Sequence, residues 1–109
     1  MRFEEARFLI LPLRSMGDPR DPALVLDLIA AASKIISYTT GKSKQAFADD
    51  SQLISADSFE VAVLGEAAKR LSRDLQVTYP EIPWRQIAAV RDVPDLLGHL
   101  RRIQTGLGT

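Results

Sequence analysis

Between Asp21 and Gly41 the residues Val25, Leu28, Ile29, Ala32, Ile35 and Ile36 return at every third or fourth position. That spacing commits the stretch to a helix with one broad apolar face to bury. Asp21-Pro22 reads as its N-cap and first helical residue, and Gly41 as its stop. Gln45–Ala48 reads as a short helical turn that returns Phe47 to the core. A second long helix is predicted from Asp50 or Ser51 to about Ser72, with Ile54, Phe59, Val63, Leu64, Ala67 and Leu71 on its apolar side. Gly65 lies inside it at a cost of about 1 kcal/mol relative to alanine, and close helix packing is the expected reason.

YPEIP reads as a turn, with Pro83 suited to the first turn of a third helix. That helix carries Trp84, Ile87, Ala88 and Val90 and reaches Arg91-Asp92, with Arg91 on its inward face. Pro94 is expected to end or kink it, and GHLRRIQTGLGT to be amphipathic for about two turns. Every assignable segment is helical, so the expected fold is all-α, an up-and-down antiparallel bundle of the four-helix type.

A chain of 109 residues supports one core. Fourteen basic side chains balance fourteen acidic ones, so any hold on nucleic acid must come from a local patch. The absence of cysteine excludes thiolate chemistry and disulfides, and a single histidine argues against a histidine metal cluster. No cofactor or metal site is read.

Residues 1–20 read as an N-terminal extension to a domain spanning 21–109, with Met16 an alternative start. MRFEEARFLILPLRSMG fails as a signal peptide because two glutamates occupy its n-region and Pro12 breaks its apolar run. No later segment looks long enough to span a membrane, so a cytoplasmic protein is expected.

Two stretches go beyond generic helix: VLGEAAKRLSRDLQVTYPEIPW and RQIAAVRD. Together with DPALVLDLIAAASKIISYTTG they resemble the HepT-like family of the HEPN group, from about Asp21 to Asp92. The resemblance implies a helical bundle that forms a homodimer. It also implies endoribonuclease activity in a toxin–antitoxin pair, with RNA as substrate and a MntA-like nucleotidyltransferase as antitoxin. The family's motif is an arginine with Asn or Asp beside it, then a histidine and, two residues on, a tyrosine that the partner can adenylylate. Arg91 and Asp92 match its first half. The histidine and tyrosine positions hold Leu96 and Gly98. The break at Val93 is abrupt, and a changed reading frame there is one account of it.

Cleaving RNA with its own 2′-OH needs a base, an acid and a cation for the crowded phosphorus. Arginine grips phosphate but does not shuttle protons. The candidate catalytic residues are therefore Arg91 for the phosphate, Asp92 for orientation, and His99 as acid or base. On an unbroken helix Arg91 and His99 would stand about 80° and 12 Å apart, too far for one phosphate without a fold-back or a second protomer. The plainer alternatives are a helix-end ion pair of Arg91 with Asp92 or Asp95, and a terminal-helix histidine without catalytic duty. Lys69, Arg73 and Arg85 are candidate substrate-binding residues on a basic rim that Arg70, Arg101 and Arg102 extend, with a solvated face as the alternative. Glu66 reads as a salt-bridge partner of Lys69 or Arg70. Tyr79 and Trp84 read as anchors of the turn more readily than as base-stacking platforms. Two functions follow: an RNase-type toxin, or a non-catalytic bundle that partners a nucleotidyltransferase.

Overall fold

The computed structural model describes residues 18–107, and the N-terminal extension up to position 17 lies outside them. Helix α1 (Asp21–Thr39) is followed by a short α2 (Lys44–Ala48) and the long α3 (Ser51–Arg70). A short α4 (Arg73–Thr78), a 3-10 helix (Trp84–Ala89) and α5 (Val93–Gly106) complete the chain. No strand occurs among the described residues. The fold is all-α and its long helices run up and down.

Helix α1 is the central element, packed on α3 along one side and on α5 along the other. Its fully covered residues Val25, Leu28, Ala31 and Ala32 meet Leu64, Ala67 and Ala68 of α3 and Leu96, Leu100 and Ile103 of α5 in one core. At 19 residues and a mean hydropathy of 1.3, α1 is long and apolar enough to cross a membrane, which corrects the expectation that no segment approaches that length. Its apolar side is spent on protein neighbours, as in the core helix of a bundle.

The N-terminus of α1 departs from the sequence reading. The cap position is Arg20, and Asp21 lies inside the helix, fully buried. Its carboxylate accepts from the backbone N–H of Ser72 at 3.0 Å, from the Ser72 hydroxyl at 2.6 Å and from Asp18 N–H at 3.0 Å. At the other end Gly41 takes φ +75°, a left-handed value that suits glycine at a helix stop.

Helix α3 starts where the sequence reading put it, at Ser51, and Asp50 caps it, its Oδ1 accepting from Leu53 N–H at 3.0 Å. It ends at Arg70, because Leu71 turns extended and Ser72 caps the unanticipated α4 by accepting from Leu75 N–H. Phe59 is 64% exposed and Ile54 38% exposed, so neither belongs to the core. Glu60 takes the inward position instead, with Lys34 Nζ at 3.7 Å. Phe47 is only half-buried. A methyl on Gly65 would meet Ala88 Cβ at 3.6 Å, an ordinary contact, so the packing there does not exclude a side chain.

The predicted third helix proves to be a 3-10 segment that ends at Ala89, with Val90 extended. Pro94 neither ends nor kinks a helix; it opens α5 from the first turn, where no N–H is required. Asp92 caps that turn through Oδ1, which accepts from Asp95 N–H at 3.0 Å. Helix α5 then runs 14 residues, well beyond the expected two turns, and seats Leu96, Leu100 and Ile103 in the core.

Candidate functional site

Because the helical path stops at Val90 and resumes at Val93, Arg91 sits in the bend between the 3-10 helix and α5 rather than on a helix face. Its side chain is exposed and borders a groove of about 360 Å³ shared with Ile36, Asp57, Val61, Ile87 and Pro94. Among the described residues Arg91 has no ion-pair partner, so the expected pairing with Asp92 or Asp95 is not formed. Unpaired among the described residues, this guanidinium at the lip of a largely apolar groove is available to an anion.

Asp57 was not singled out from the sequence. It faces the Arg91 groove, and burial raises its carboxyl above the ordinary carboxylate value. The available signal was a polar residue midway between Ile54 and Val61 on the helix spacing of α3.

Asp92 is the N-cap of α5, so one of its oxygens is occupied by the backbone. His99 lies nearly two turns further on, half-buried, and does not line the Arg91 groove. Arg102 Nη2 approaches His99 Nδ1 at 2.7 Å. A guanidinium has no lone pair to offer, so in this contact Nδ1 must be the acceptor and the ring proton resides on Nε2. That nitrogen faces Asp95 Oδ2 at 3.4 Å. Both ring nitrogens thus face neighbours within α5 itself, Nδ1 in a hydrogen bond and Nε2 in a looser contact. Leu96, at the position of the motif's histidine, is 3% exposed in the core, and Gly98 is exposed.

The basic residues divide. Arg73 and Arg85 border a second groove, of about 610 Å³, together with Gln76, Val77, Trp84 and Gln86. Lys69 is exposed but borders neither groove. Glu66 forms no ion pair with Lys69 or Arg70; it borders a third groove between α1 and α3 with Phe59, Asp27 and Arg70. Trp84 is an anchor as predicted: its indole N–H donates to the carbonyls of Gln76 at 3.2 Å and Tyr79 at 3.0 Å. Among the described residues no cluster of three or more His, Asp or Glu side chains is placed to hold a metal ion.

Fold and junction define a small all-α protein with a cation, unpaired among the described residues, set where a 3-10 helix meets the last long helix. The chain belongs to the Ribonuclease HepT-like family, whose model matches residues 28–93. A protein of Methanocaldococcus jannaschii, provisionally named an RNase, is 31% identical over 70 residues, covering 64% of this chain and 58% of its own length. A protein of Thermococcus cleftensis, provisionally named ribonuclease HepT, is 32% identical over 66 residues, covering 61% of this chain and 60% of its own. A further Methanocaldococcus jannaschii protein with an RNase name is 29% identical over 70 residues, 64% of this chain and 60% of its own length. The chain thus spans about three-fifths of the length of these curated relatives. No solved structure matches it.

Proposed function

We propose that this chain is the toxin-type member of a HepT-like toxin–antitoxin pair, one that engages RNA through Arg91 but does not complete the cleavage chemistry with its own side chains. The observation that carries this reading is that His99 does not line the groove that Arg91 borders, its Nδ1 being bonded to Arg102 and its Nε2 turned toward Asp95. A proton shuttle needs a nitrogen facing the reacting oxygen, and here Nδ1 is bonded to Arg102 and Nε2 is turned toward Asp95 rather than toward Arg91. Leu96 in the core and Gly98 outside supply neither the histidine nor the tyrosine of the motif. In this reading the partner's control by adenylylation has no acceptor at position 98. The nucleotidyltransferase then acts by binding alone, and the chain works in the cytoplasm as a homodimer.

The test is an RNA-cleavage assay on the parent chain, Arg91→Ala and His99→Ala. The expected result is no cleavage that either substitution removes. Cleavage by the parent that both variants lose would overturn the reading and make the chain an active ribonuclease.

A further inference from the structure

The three grooves differ in charge. The α1–α3 groove carries Asp27 and Glu66 against one arginine, and the Arg91 groove carries Asp57. The groove between α4 and the 3-10 helix has Arg73 on one wall and Arg85 on the other, and no acidic residue in its lining. Among the described residues neither arginine has an ion-pair partner. In a chain of zero net charge, this lining carries two cations and no anion, with the exposed Asp74 and Glu81 flanking it in sequence.

The rest of the lining is partly apolar. Trp84, Pro80, Pro83 and the 66% exposed Val77 supply that part. The two backbone hydrogen bonds of the Trp84 indole fix the ring before any ligand arrives, so little side-chain freedom is lost on binding. Gln76 and Gln86 add amides at the edges, although the Gln76 side chain already donates to the carbonyls of Ala68 and Leu71.

We infer that this groove is a binding site for single-stranded RNA, separate from the Arg91 junction. Arg73 and Arg85 contact successive phosphates, and a base stacks against Trp84 and the adjoining prolines. Paired cations around a fixed aromatic face suit a single strand, whose bases are free to stack, better than a duplex, whose bases are not. The inference rests on the proposed RNA function and adds to it the surface that holds the strand.

The chain has one tryptophan, so its intrinsic fluorescence reports on this groove. The experiment titrates the full chain with an oligoadenylate of about 12 nucleotides, reading Trp84 emission and, in parallel, the anisotropy of the labelled strand. Binding is expected to quench the emission and to weaken with salt, with a log–log slope near −1.4 for two phosphate contacts. Arg73→Ala and Arg85→Ala, both at exposed positions, are each expected to weaken binding by about five- to tenfold and to flatten the slope. Anisotropy-detected binding that leaves Trp84 emission unchanged and both variants at parent affinity would overturn the groove while leaving RNA binding elsewhere intact. So would loss of nucleotidyltransferase binding in the two variants with RNA affinity unaltered, which would make the groove a protein surface. The cleavage assay is independent of all these readouts, so failure of the groove and failure of the proposed function are told apart.

Discussion

Asp21 and Ser72 stand 51 residues apart in the chain, yet the buried Asp21 carboxylate accepts from both the backbone N–H and the hydroxyl of Ser72. Ser72 in turn accepts from Leu75 N–H and so caps α4. One carboxylate therefore ties the start of α1 to the joint between α3 and α4. Asp21→Ala would strand two Ser72 donors in a part-buried site. A loss of about 2–4 kcal/mol is expected, measured by urea denaturation, with Asp21→Asn intermediate. A loss under about 0.5 kcal/mol would show that the tie contributes little.

Leu100 of α5 is fully buried in the core that α5 forms with α1. Leu100→Ala should cost about 2–5 kcal/mol through lost burial and the cavity left behind. A tail unrelated to the rest of the fold, as a changed reading frame near Val93 would produce, would show no such penalty. The denaturation midpoint of this variant therefore also tests whether the last 14-residue helix belongs to the core.

Gly65→Ala is expected to stabilise the chain by up to about 1 kcal/mol, since helix propensity improves and the new methyl meets Ala88 at ordinary contact distance. Gly65→Leu should reverse the sign, because a branched side chain would drive α3 away from the 3-10 helix. Thermal melts of the pair check the geometry; destabilisation by alanine would contradict it.

Burial holds the Asp57 carboxyl above its ordinary value. A carboxyl that protonates more readily in the folded chain favours folding below the unfolded value, and this advantage is lost as pH rises through the folded one. At neutral pH the charged group therefore works against the fold. Asp57→Asn is expected to raise Tm near neutrality by about 1–2 °C and to lose that advantage as the pH is lowered through the carboxylate range. A Tm difference that is constant across this range would show that burial of the charge is not its cause.

The apolar spacing of α1 was sufficient to place that helix and its face, because periodicity is local and the helix is bounded by Pro22 and Gly41. Helix α4 escaped notice because Ser72 reads equally well as the end of one helix or the cap of the next. The same ambiguity hid α5: Pro94 breaks a helix that continues and favours one that begins, and only the extended Val90 decides between them. Arg91 and Asp92 were legible as neighbours. Their relation to His99 was not, because it depends on where α5 starts. The grouping of Arg73, Arg85 and Trp84 follows from the path of the YPEIP turn, which spacing alone does not specify.

Leu96 carries a consequence for descent. A single codon change to histidine at that position would push an imidazole into a close-packed apolar interior, where an unpartnered ring is penalised. Turning that side of the helix outward would drag Leu100 and Ile103 into solvent with it. Seating a histidine at position 96 thus demands several concerted replacements, and the present packing acts as a one-way door.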